Sequence, residues 1–204
     1  MRRISLLVMM ALAAPSAFAF PKSDKDTLVN SRYQESAQEK AAREFKEAEA
    51  DLPALPDTKS GDWFDIYVSE TYAKQPKILL SSLQIMPSPD TSIRYILNTQ
   101  SSQGYDNLTA EGIFCARSSF NYGGDKRSSY KVFGYGDSVN NRWIKPRNAD
   151  WKPMGGAMSR NDELRSVLYN AFCVDGAPNT VEGLIERLQQ RAGRHKTSLI
   201  NTNK

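Results

Sequence analysis

A change in hydrophobic period constrains this chain most. Residues 64–135 alternate apolar and polar side chains in short runs, and from residue 159 onward the period becomes helical. Phe64, Ile66 and Val68 alternate with Asp65 and Tyr67. Residues 78–85 and 91–98 form two further runs, joined by the turn residues Pro87, Ser88, Pro89 and Asp90. Residues 108–116 and 129–135 follow, bounded by the polar turn at 100–104 and by Gly123 and Gly124. Connections this short allow antiparallel pairing and exclude parallel crossovers. Residues 140–156 read as irregular.

Leu164, Val167, Leu168 and Phe172 then share one helical face, and Val181, Leu184, Ile185 and Leu188 share another. Asn179 with Glu182 resembles a capping pair, and Gly193 lies near the stop, after Arg187 and Arg191. The expected fold is α+β: an antiparallel sheet of about four to five strands followed by two C-terminal helices, forming a single domain over 63–193. Residues 194–204 read as a polar tail.

The N-terminal quarter has a different character. Arg2 and Arg3 precede an apolar run over 4–14, and Ala17 and Ala19 place small residues before Phe20. That is the layout of a cleavable signal peptide over 1–19, and the apolar run is shorter than the roughly 20 residues a membrane span needs. No cysteine lies beside the cleavage position, so a lipid-modified N-terminus is not expected. The product is expected to be exported, with no membrane span after cleavage. The chain's formal charge of +4 includes both signal arginines, so the mature chain carries 25 basic against 23 acidic residues, or +2. So weak a charge, with export, argues against a nucleic-acid partner. Residues 20–62 are expected as a polar terminus, an Ala/Glu-rich helical arm over 31–52, with a solvated and only partly helical spacer as the alternative, and a linker containing Pro53 and Pro56. The arm's stripe is Ala37, Ala41, Phe45, Ala48 and Leu52.

Composition excludes much chemistry. The 204 residues include one histidine and two cysteines. His195 lies in the tail, so neither a zinc site nor a histidine-dependent catalytic group is expected, and no cofactor is assigned. Nucleophile-elbow and phosphate-loop patterns are missing, and Gly134-Tyr135-Gly136 lacks the third glycine and following helix of a phosphate loop. Cys115 and Cys173 are not a C-x-x-C pair. In an oxidising compartment they can form a disulfide closing a loop of about 60 residues, worth about 4 kcal/mol. The alternative is two buried thiols packing as small apolar groups.

Residues 117–152 carry eight basic and three acidic side chains, or +5, whereas residues 44–70 carry eight acidic and two basic, or −6. The two regions have the signs to attract each other within or between molecules. Tyr135, Arg142, Trp143, Arg147 and Trp151 are the candidate ligand surface, because arginine and tryptophan together bind anionic or sugar-bearing ligands by charge and stacking. The competing reading makes Trp143 and Trp151 core residues sealing the sheet.

Several segments together resemble the cryptic-neisserial-protein-like family of exported proteobacterial proteins. They are Phe64-Asp65-Ile66-Tyr67-Val68, Ser81-Ser82-Leu83, Ile93-Arg94-Tyr95-Ile96-Leu97 and Glu111-Gly112-Ile113-Phe114-Cys115, then residues 130–136, Trp143, Trp151, Leu168-Tyr169 and Phe172-Cys173. The resemblance implies a periplasmic protein and brings no established reaction, so no catalytic residue carries over. It implies structural roles for Tyr67, Tyr95, Glu111, Gly112, Cys115 and Cys173. The expected function is a non-enzymatic binding or interaction module for an envelope component or protein partner. The alternatives are a hydrolase-type enzyme using carboxylates or serine without histidine, and a structural protein self-associating through the arm.

Overall fold

The computed structural model describes residues 44–116, 127–155 and 162–194. Residues 1–19 of the expected signal peptide, residues 20–30, residues 31–43 of the expected arm, the turn at Gly123 and Gly124 and the tail from His195 onward lie outside the described residues. Among the described residues, seven antiparallel strands form one sheet: β1 (Trp63–Asp65), β2 (Gln75–Ile85), β3 (Ile93–Gln100), β4 (Leu108–Phe114), β5 (Ser129–Asp137), β6 (Arg142–Ile144) and β7 (Lys152–Pro153). Strands β1 to β6 lie in sequence order, and β7 pairs with the start of β5. The helices α1 (Glu163–Phe172) and α2 (Val181–Ala192) follow. The α+β reading holds, with more strands than expected. The additional strands β6 and β7 fall in the segment read as irregular, and at three and two residues they are too short for a period-two signal.

One sheet face carries Ile78, Ile93, Tyr95, Leu97 and Ile113 against Leu164, Leu168, Phe172, Leu184 and Leu188 of the helices. Asp162 caps α1, its side chain accepting from the Arg165 N–H. Thr180, not the expected Asn179, caps α2 by accepting from the Gly183 N–H. Arg187 and Arg191 of α2 donate to the carbonyls of Asn170, Val174 and Gly176, satisfying carbonyls at the C-terminal end of α1. The Cys115–Cys173 disulfide ties the end of β4 to the C-cap of α1.

The helical arm fails over its described part. Residues 44–52 carry no helix; with residues 53–57 they form an irregular strap across the sheet face opposite the helices. Alanine and glutamate favour a helix locally, but tertiary contacts override so weak a preference. Leu55 packs with Leu79, Ile96, Leu108, Trp63 and Trp143 in a second apolar cluster on this face. The segment expected as arm and linker thus packs on the sheet.

Candidate functional site

Strand register splits the candidate ligand surface. Tyr135 pairs with Ile144 and Asp137 with Arg142, so these four share the helix side of the β5–β6 hairpin. The helices do not reach them: Tyr135 and Ile144 are each 48% exposed, and Val139 in the turn is 93% exposed. Arg142 is exposed and pairs with Asp137 at 3.3 Å, and Arg147 is exposed beyond β6. Trp143 pairs with Gly136 and points to the strap side. Trp151 precedes Lys152, which pairs with Tyr130, so the register partners near the two indoles lie 136 − 130 = 6 residues apart along β5. That is about 20 Å of strand. The five residues do not form one surface.

Both indoles hold the strap. Trp143 Nε1 donates to the Pro53 carbonyl at 2.6 Å, and Trp151 Nε1 donates to Glu47 at 2.6 Å. Both side chains are half-buried, so neither is a free stacking platform nor a sealed core residue. Trp63 Nε1 donates to the Ser60 carbonyl at 3.0 Å, so the chain's three tryptophans all contact the strap or its continuation.

The strap's anchors come from both ends of the charge pattern. Lys131 Nζ donates to the two Glu47 oxygens at 2.7 and 2.8 Å, joining the acidic segment to the basic one. The Phe45 ring lies 4.4 Å from Phe114 and 5.1 Å from Trp151, the latter edge-on. Leu52 and Leu55 lie directly over Gly134 and Gly136. A Cβ at Gly134 would stand 2.7 Å from Leu52 Cδ1, and one at Gly136 would stand 3.0 Å from Leu55 Cδ1. The Gly-Tyr-Gly sequence is therefore the strap's close-approach track.

Asp90 is a further anchor. Its fully buried carboxylate accepts from the Ala48 N–H, the Ser92 N–H and Arg94 Nη2. Burial pushes its pKa up, but hydrogen bonds from Ser92, the Ala48 N–H and Arg94 outweigh burial and hold it below the ordinary carboxylate value. Because folding lowers this pKa, the stabilisation is present above about pH 4 and is lost as pH falls through the lowered value. Acid titration is therefore expected to release the strap, seen as a change in tryptophan fluorescence that Asp90→Asn abolishes. An identical acid transition in the variant would contradict the assignment.

The Arg94 guanidinium lies 3.8 Å over the Phe133 ring, beside Gly112. A Cβ at Gly112 would stand 2.9 Å from Phe133 and 3.0 Å from Arg94, which gives the family-pattern glycine its physical reason. Leu52, Pro53, Ser82, Gln84, Arg94 and Phe133 line a groove beside the strap, about 430 Å³ counted out to open solvent.

On the helix face, Glu111 is 1% exposed. It accepts from Thr109 Oγ1 at 2.8 Å, Tyr95 OH at 3.2 Å and Arg165 Nη2. Burial, then the neighbouring Glu111 charge, pushes the Tyr95 hydroxyl pKa well up. Tyr67 is half-buried; its N–H donates to the Ala192 carbonyl and its hydroxyl to Glu70. No local sequence signal marks Glu47, Asp90, Arg94, Lys131 or Arg165 individually. The opposite net charge of segments 44–70 and 117–152 is the one signal that points to the Glu47–Lys131 pair. No group of three or more potential metal ligands occurs among the described residues.

The model of the CNP1-like family matches residues 40–189, a span that includes the strap. Cryptic neisserial protein 1 of Neisseria gonorrhoeae (strain ATCC 700825 / FA 1090) is 63% identical over 199 residues, covering 98% of each chain. No solved structure matches. With the family pattern spanning both sheet faces and the helix layer, the chain belongs to the CNP1-like family.

Proposed function

We propose that this chain is an exported periplasmic protein that works as a non-enzymatic interaction module for an envelope component or a protein partner. The signal layout over 1–19 supports export, and the Cys115–Cys173 disulfide fits an oxidising compartment. The observation that carries the interaction reading is the exposed cross-strand pair Tyr135–Ile144, flanked by Arg142. Tyrosine and arginine around an exposed aliphatic side chain are the residue types that dominate binding energy at protein interfaces. The two buried carboxylates among the described residues, Asp90 and Glu111, are both paired with internal arginines, which disfavours a carboxylate hydrolase. The folded unit is proposed to begin at the strap, near Phe45, rather than at Trp63.

The test is capture from envelope extract on the mature chain and on a Tyr135→Ser/Ile144→Ser variant. Both positions are exposed, so the fold should survive. A component retained by the parent and lost from the variant is expected. An identical retained set would contradict the hairpin as the docking face.

A further inference from the structure

We infer that the strap's seat on the sheet is a peptide-binding site, occupied in cis, for an extended acidic segment with an aromatic residue two positions before a carboxylate. It lies on the opposite face from the Tyr135–Ile144 pair, so it does not depend on that pair as a docking surface.

The strap displays the chemistry of the occupant. The Phe45 ring enters a slot between Phe114 and Trp151. Two residues on, the Glu47 carboxylate meets Lys131 Nζ and Trp151 Nε1. The Lys46 N–H donates to the Pro89 carbonyl and the Ala48 N–H to Asp90. Side-chain pockets at alternate positions, with main-chain bonds between them, are how extended peptides are recognised.

The sheet and its turns build this seat. Lys131 is 13% exposed and lies 5.0 Å from the Phe133 ring. Phe133 meets Trp151 edge-on at 6.0 Å, and Arg94, fixed by Asp90, stacks on Phe133. The occupant is different in kind. No strand or helix includes residues 44–57, so no sheet ladder ties the strap to the domain. A segment held by side chains and two turn contacts can leave as a unit while the sheet stays paired. Tethering gives it an effective concentration in the millimolar range, so a free peptide binds only when the strap is weakened or outcompeted.

The probe is a labelled peptide of residues 44–53, titrated into the full chain carrying Phe45→Ser/Glu47→Gln. Binding at least about tenfold tighter than to the parent chain is expected. A Glu47→Gln change within the peptide, or Lys131→Met in the protein, should weaken it by about tenfold. Equal binding of the Gln peptide, or no binding by a variant that keeps the parent's circular dichroism, would overturn the inference. Should the variant not fold, the parent chain serves: peptide at about 10 mM, above the strap's effective concentration, should move the Ala48 amide resonance of the chain's own strap toward its unstructured position. An unmoved resonance would overturn the inference. A parent dimer abolished by Glu47→Gln would assign the seat to a second copy's strap and overturn the separate-peptide reading.

Discussion

Replacing Arg165 with alanine is expected to destabilise the folded chain by about 3–5 kcal/mol, a large part of a typical domain's 5–15 kcal/mol. Arg165 pairs with Glu111, whose side chain has no exposed surface. Burial, the largest influence, would lower the guanidinium pKa, but Glu111 together with Tyr95, Asp162 and Tyr130 outweighs it and holds the pKa above its ordinary value. Without Arg165, the carboxylate keeps the hydroxyls of Thr109 and Tyr95 and loses the cation paired with it. By contrast, the exposed Arg191–Asp175 pair should contribute about 1 kcal/mol or less. Urea denaturation measures the difference, and a loss under about 1 kcal/mol would contradict it. A Glu111→Gln/Arg165→Met double variant should recover part of the stability, because no uncompensated buried charge remains. No recovery would place the effect in lost α1 packing.

Breaking the disulfide is expected to cost about 4 kcal/mol, the chain-entropy value for a loop of this length. Cys115 and Cys173 are 58 residues apart in sequence, and their bond joins the end of β4 to the end of α1. Its loss frees the unfolded chain and also removes the covalent tie between the sheet and the helix layer. A Cys115→Ser/Cys173→Ser variant should unfold at clearly lower denaturant concentration, and unreduced protein should show no free thiol after denaturation. Two titratable thiols would refute the bond.

The helix layer and the central strands were legible in the sequence. The alternation through Ile93, Tyr95 and Leu97 and the stripe through Leu164, Leu168 and Phe172 are local signals of elements packed on one face. The strap is not legible locally because its determinants are distant. Glu47 and Trp151 are 104 positions apart, and Glu47 and Lys131 are 84 apart. Nothing near Phe45 distinguishes a docked aromatic from one on a helical stripe. Trp143 and Trp151 left two readings open, ligand surface or sealed core, and their indole N–H groups instead hold a segment of the same chain. Arg165 had no distinguishing mark, since an arginine one turn into a capped helix usually points to solvent.

Residues 44–57 form a layer held on the sheet by side chains. Hydrogen exchange of the full chain tests it most directly, comparing the parent with Glu47→Gln. The parent strap should exchange more slowly than an unstructured peptide, and the variant should lose that protection while β3 and β4 keep theirs. Strap exchange at the unstructured rate in the parent, or joint loss of protection in the strap and the central strands, would contradict the account.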